Sequence, residues 1–238
     1  MKITIFIPCF VDQLFPSVGI SVVRIFEKLG HTVDFKQSIL CCGQPAFNAG
    51  FWDESREIAA RVIEALNGDD PVVVPSGSCA AMVKNFYPEL FRSTSQAEAA
   101  AQLSRRTFEF SSFLVDRLGV TDLGSRFPAK VTFHDGCHGL RELQVKRQPR
   151  ILLERVKDLT LVEMEDQTSC CGFGGTFCVK FPMISTAMGE TKLASALETG
   201  AEYLVSNDSS CLMHLQGLLS RQKRKLKTIH LAEILAGA

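Results

Sequence analysis

Thiols are the groups in this sequence best placed to do chemistry. Nine cysteines occur in 238 residues, and two pairs of them are adjacent, Cys41-Cys42 and Cys170-Cys171. Cys9 precedes the first pair and Cys79 follows it, while Cys137 precedes the second pair and Cys211 follows it. Cys137, Cys171 and Cys211 lie 128, 129 and 132 residues after Cys9, Cys42 and Cys79, and a glycine closes each pair, Gly43 or Gly172. Eight cysteines therefore form two copies of one pattern, C…CCG…C, and self-similarity over a long fixed offset marks a duplicated unit. Cys178 has no counterpart in the first copy and reads as an ordinary small thiol.

Cysteine binds metal as thiolate, and its softness selects zinc, copper(I) or iron–sulfur clusters over magnesium or calcium. Structural zinc and a [4Fe–4S] cubane each need four such ligands, which every copy supplies. Spacing bears on the choice between them. Structural zinc favours close C-x₂₋₄-C knuckles, absent among the repeated cysteines, whereas adjacent cysteines point in different directions and suit the separate irons of a cluster. The expected metal ligands are Cys9, Cys41, Cys42 and Cys79 in one copy and Cys137, Cys170, Cys171 and Cys211 in the other. Two iron–sulfur clusters are the leading expectation, with zinc the alternative and dithiol redox chemistry a third reading. Gly43 and Gly172 allow close backbone approach, with an N–H aimed at sulfur, and Gly174 belongs to the same expected cofactor-contacting loop. The Gly172-Phe173-Gly174-Gly175 run is not a dinucleotide fingerprint, because its third glycine and the downstream acidic residue are misplaced.

The copies differ around these ligands. Superposing them puts His134 opposite Phe6, Asp135 opposite Ile7, His138 opposite Phe10 and Asp208 opposite Ser76. The second site is expected to be wetter and more ionisable. His134 is a candidate for proton transfer beside a cluster, or for ligation, against the plain alternative of a strand-ending residue. His138 reads as a solvated loop residue, and His31, His214 and His230 as structural.

Short β-branched runs alternating with helical patterns must position these residues. The first copy reads as strands at 2–7, 32–35 and 71–75, helices at 16–29 and 53–66, and a short helix opening at Cys79. The second reads as strands near 130–134, 159–163 and 202–206, with helices near 149–157, 182–199 and 211–223. This predicts an α/β fold, internally duplicated, made of two Rossmann-like parallel-sheet subdomains related by a pseudo-two-fold. A helix over 97–118 is expected to join them, with the subdomains at 1–124 and 125–238. Ligands of such sheets bind at the carboxyl ends of strands, where all eight repeated cysteines fall.

Composition excludes several classes. An apolar fraction of 46% supports a core, and 26 basic against 26 acidic residues leave no electrostatic footprint for nucleic acid. No apolar run approaches the ~20 residues a membrane-spanning helix needs. The apolar start, Ile3 to Ile7, is interrupted by Pro8 and Asp12 and matches the mid-chain run Val131 to Phe133, so it reads as a strand rather than a signal peptide. Thiol-rich and without a secreted disulfide framework, the chain reads as cytoplasmic. The basic stretch Arg221 to Lys227 reads as a solvated helix end.

The motifs Cys41-Cys42-Gly43-Gln44-Pro45, Pro75-Ser76-Gly77-Ser78-Cys79 and Thr168-Ser169-Cys170-Cys171-Gly172-Phe173-Gly174-Gly175 carry a resemblance. They resemble the CCG-type cysteine-rich domain found in heterodisulfide reductase and in the iron–sulfur subunit of glycolate oxidase. Over nearly its whole length the chain is similar to the lactate utilisation protein A family. The resemblance implies an iron–sulfur electron-transfer component of a cytoplasmic complex that oxidises L-lactate. It implies two partner proteins, one with ferredoxin-type clusters, and a subunit that is not catalytic alone. The broader CCG pattern ends in C-x-x-C, whose first position here holds Ser76 or Asp208. Each is thereby a candidate oxygen contact to the cofactor, and a catalytic disulfide reductase becomes the weaker reading beside an electron carrier or a zinc-binding assembly subunit. No flavin or nicotinamide motif is present, so hydride abstraction is expected elsewhere.

Overall fold

The computed structural model describes residues 1–36 and 41–237. The first half runs β1 (Lys2–Ile5), α1 (Cys9–Leu14), α2 (Pro16–Lys28), β2 (Thr32–Phe35), α3 (Gln44–Asn48), α4 (Trp52–Ala65) and β3 (Val72–Val74). It continues through α5 (Gly77–Ala81), a π-helical turn at Met82–Phe86, α6 (Tyr87–Leu90), α7 (Ala97–Arg105) and β4 (Thr107–Glu109). It closes on α8 (Phe110–Ser112), which a second π-helical turn extends over Phe113–Arg117. The second half runs β5 (Lys130–His134), α9 (Cys137–Leu143), α10 (Arg147–Leu153), β6 (Thr160–Leu161), α11 (Phe177–Lys180) and α12 (Pro182–Glu198). It ends with β7 (Tyr203–Ser206), α13 (Ser209–Arg221), β8 (Lys227–His230) and α14 (Leu231–Ala236).

Each half builds one four-stranded, all-parallel sheet, in the order β2-β1-β3-β4 and β6-β5-β7-β8. Parallel strands are covered on both faces and read as continuous apolar runs, as Val72, Val73 and Val74 do, all fully buried. The expected Rossmann-like duplication is thus present, with the first and second strands of each half at corresponding places.

Two expectations are corrected. The single helix over 97–118 is broken at Arg106 by the strand β4, after which a separate helix begins at Phe110. Thr107 and Glu109 are buried and pair alongside β3, so tertiary packing overrides the helical tendency of the alanine-rich run before them. The fourth strand of the other sheet, β8, takes the end of the basic stretch, which therefore leaves a helix and enters a sheet edge. A minor shift is that α5 opens at Gly77 rather than at Cys79.

The last helix of each half packs on the first crossover helix of the other. α14 lies on α2, with Ser17 Oγ donating to Glu233 at 2.8 Å, and helix 110–117 lies on α10, with Gln148 donating to Asp116 at 2.6 Å. These helices form one apolar layer shared by both sheets, in which Phe26, Phe110 and Phe113 meet edge to face near Val131, Phe133 and Ile234. The reciprocal exchange is the pseudo-two-fold relation, and it locks the carboxyl edges of the two sheets toward each other.

Candidate metal centres

In the first half, Cys9 opens α1 directly after β1, and Cys79 lies in the first turn of α5 after β3. The Cys41-Cys42-Gly43 turn lies between them, at the entrance to α3. Gly43 sits in the left-handed region, φ +84°, and a Cβ there would meet Ser55 Oγ at 3.1 Å. Its N–H points at Cys41 Sγ, 3.4 Å away. Three side chains hold the turn from behind: Ser55 donates to the Gly43 carbonyl, Tyr87 to the Cys42 carbonyl at 2.9 Å, and Gln44 to the Ser78 carbonyl.

The second half repeats this construction. Cys137 opens α9, Cys211 lies in the first turn of α13, and Gly172 (φ +89°) donates its N–H to Cys170 Sγ at 3.3 Å. The fit is tighter, because a Cβ on Gly172 would lie 2.4 Å from the Ser185 carbonyl oxygen.

Both quartets are contiguous, and all nine cysteines are free thiols. Cys42 and Cys79 sulfurs are 3.3 Å apart. Hydrogen bonds from Cys42 and Cys9 pull the Cys41 thiol far below its ordinary pKa, and the donors move up in exchange. Cys170 is lowered in the same way by Cys137 and Cys171. Each quartet thus favours the charged form of one central thiol, the form in which cysteine binds metal. Four neighbouring sulfurs, two of them buried, and a glycine N–H aimed at one of them fit a metal centre in each half. The described residues thus place all eight predicted ligands as two sets of four.

The two sets share one cleft, lined by all eight cysteines. Gly174 lines it too, near Phe173, whose ring meets Phe10 edge to face at 5.4 Å. Cys178 stands apart in α11, donating to the Gly175 carbonyl at 3.0 Å.

Ser76 and Asp208 also line the cleft, and they meet. Asp208 accepts from Ser76 Oγ and Ser78 Oγ, each at 2.7 Å, and from the Ser78 N–H at 3.1 Å. Ser76 meanwhile caps its own helix by accepting from the Cys79 N–H. Its counterpart Asp208 makes no such cap and instead reaches across to the other half. Gly136 leaves room for that carboxylate, since a Cβ there would stand 2.7 Å from Asp208 Oδ2. Sequence reasoning missed Ser78, Tyr87 and Gly136. The Ser-Gly-Ser run before Cys79 is the one signal that a close crossing occurs there.

The expectation of a wetter second site is corrected. His134, Asp135 and Asp208 are all buried, His134 completely. Burial, reinforced by Lys192, lowers the His134 pKa to about 3, so its ring is neutral at pH 7. Asp135 is held by a bidentate pair with Arg150 at 2.6 and 2.9 Å. His138 is not a loop residue but lies in α9, half-buried, edge-on to Phe86. His230 is structural, its Nδ1 capping α14.

A fold of two parallel sheets whose CCG turns bring thiols to a common edge defines a class of duplicated cysteine-rich, metal-binding protein. The CCG cysteine-rich domain family matches at residues 3–84 and again at 131–216. Lactate utilization protein A of Oceanobacillus iheyensis is 44% identical over 99% of this chain and 96% of its own length. Lactate utilization protein A 1 of Bacillus cereus is 42% identical over 99% and 98%. The chain belongs to the lactate utilization protein A family, with two CCG cysteine-rich domains. Among solved structures, a hypothetical protein from Helicobacter pylori shares the fold, with a TM-score of 0.67 and 13% identity over 98% of this chain. The chain spans 48% of that structure. Among the described residues, no helix is long and apolar enough to cross a membrane.

Proposed function

We propose that this chain is a two-centre iron–sulfur electron carrier in lactate utilisation, acting in the cytoplasm with two partner proteins, one of which bears ferredoxin-type clusters. The observation that carries the reading is the single cleft lined by both cysteine quartets. Oxidation of a 2-hydroxy acid to its 2-oxo acid releases two electrons and two protons. Two one-electron centres on a common edge hold that pair close together until a partner removes it. The clusters would supply reversible one-electron storage, and the chain supplies the rest. Cys9, Cys41, Cys42 and Cys79 hold one centre, and Cys137, Cys170, Cys171 and Cys211 hold the other. Gly43 and Gly172 direct N–H groups at sulfur, a contact that stabilises the more negative, reduced state. Phe10 and Phe173 wall the cleft and limit water between the halves.

The test is anaerobic reconstitution with iron and sulfide quantitation and EPR of the reduced chain. Brown protein with absorbance near 400 nm and two reducible centres is expected. Colourless protein holding stoichiometric zinc and no iron under those conditions overturns the reading.

A further inference from the structure

His134 ends β5 beneath the second quartet and is fully buried. Neither ring nitrogen has a hydrogen-bond partner. A buried imidazole without partners gives up its hydration with nothing in the protein to replace it. Polar groups in such places are paired as a rule, so this one calls for a partner that protein atoms do not provide. One ring nitrogen lies with Cys171 Sγ and Cys211 Sγ in a group of ligand atoms all within 4.8 Å of one another. These two sulfurs belong to the quartet already assigned to a metal centre. The corresponding residue of the first half is Phe6, also fully buried but packed in an apolar cluster with Cys42 and Cys79. Packing at this point thus needs only a ring, and the nitrogens of His134 are surplus to it.

We infer that His134 is a nitrogen ligand of the metal centre in the second half, binding the iron reached by Cys171 and Cys211. This rests on the iron–sulfur reading above. It makes the two centres chemically different: four thiolates in the first half, thiolates plus a neutral imidazole in the second. A neutral nitrogen donor added to the thiolates changes the coordination of one centre and not the other, and coordination tunes reduction potential. The two centres would therefore differ in reduction potential.

The experiment uses the full chain, labelled with ¹⁵N-histidine, reconstituted anaerobically and reduced in steps for pulsed EPR. The expected result is a coupling from a directly bonded imidazole nitrogen on one of the two reduced centres and not on the other. The coupling is lost in His134→Phe and unchanged in His138→Phe and His214→Phe. Where His134→Phe loses iron from the second half, His134→Cys restores it and shifts that centre's potential, as expected for an exchanged ligand. Reduced centres without any imidazole coupling in the unsubstituted chain, or a coupling that survives His134→Phe, overturn the ligation and leave the iron–sulfur reading standing. A reconstituted chain with no iron at all overturns the iron–sulfur reading itself.

Discussion

The two halves use the same thiols in the same places and surround them differently. Around the first quartet stand Phe6 and Phe10, while Ser76 and Ser78 face the other half. Around the second stand His134, Asp135 and Asp208, all buried and each either paired or aimed at sulfur. The comparison teaches that duplication preserved the cysteines in number and place. The neighbours diverged, and hydrogen bonds, net charge and burial are what would tune the potential of a metal centre held there. It also shows where the halves cooperate: the Asp208 carboxylate, instead of capping its own helix, ties the α5 turn of the first half to the second.

The largest effect comes from breaking one half alone. Cys171→Ala should abolish iron binding in the second half and leave the first loaded, so that total iron falls to about half. Cys42→Ala should give the mirror result. Iron and sulfide quantitation checks both, and loss of all iron from either variant would show that the two centres assemble as one unit.

Next in size is the turn glycine. Gly172→Ala puts a methyl 2.4 Å from the Ser185 carbonyl at φ +89°, combining left-handed strain with a backbone clash. A loss of about 3–5 kcal/mol is expected by chemical denaturation. Gly43→Ala meets Ser55 Oγ at 3.1 Å and its carbonyl at 3.2 Å, and should cost about 1–3 kcal/mol. Equal losses would mean that the tighter packing of the second turn has no energetic weight.

The two halves also close on equivalent caps of opposite titration. Glu109, buried at the start of helix 110–117, is pushed up to about 7 by burial, against the hydrogen bonds of Ser111 and Ser112. The folded state therefore binds a proton that the unfolded state releases near 4.5. Stability is fully present below that value and falls as pH rises toward 7, by up to about 3 kcal/mol. Glu109→Gln should remove this slope and stabilise the protein at pH 8 with little change at pH 4. His230, capping α14, is lowered by burial from 6.5, so its contribution has the reverse sign: it is present above 6.5 and lost as pH falls. Denaturation midpoints of Glu109→Gln and His230→Asn from pH 4 to 8 should shift in opposite directions. Parallel shifts would end the comparison.

Much of this was legible in the residues, for identifiable reasons. The quartets were readable because cysteine spacing is local and repeated, and β1, β3 and β5 because buried parallel strands are largely apolar runs. β4 was not, because Thr107–Glu109 is a three-residue strand embedded in helix-forming sequence, and only its pairing with β3 defines it. β8 was hidden by Lys227 and His230, whose polarity reads as surface although His230 is buried. The bond between Ser76 and Asp208 spans 132 residues of sequence and depends on how the halves dock. The wetness assigned to the second site failed for a related reason. Residue type records the ability to be solvated, whereas Arg150 and the shared core decide whether His134 and Asp135 are.

The smallest expected effect belongs to the one cysteine outside the comparison. Cys178 sits on α11, near the Gly174-Gly175 loop that lines the cleft, so proximity alone does not exclude it from the second quartet. Its sulfur instead donates to the Gly175 carbonyl, one turn back in sequence, which is how a thiol behaves when it helps to close a loop. Cys178→Ala removes that weak S–H bond and little else, and should cost less than about 1 kcal/mol. Iron content, the order in which the two centres reduce and their EPR signals should all be unchanged. Iron lost from the second half alone would place Cys178 in that quartet, making the two halves unequal in thiol count as well as in neighbours. The ¹⁵N coupling expected from His134 would then have to be weighed against a fifth sulfur.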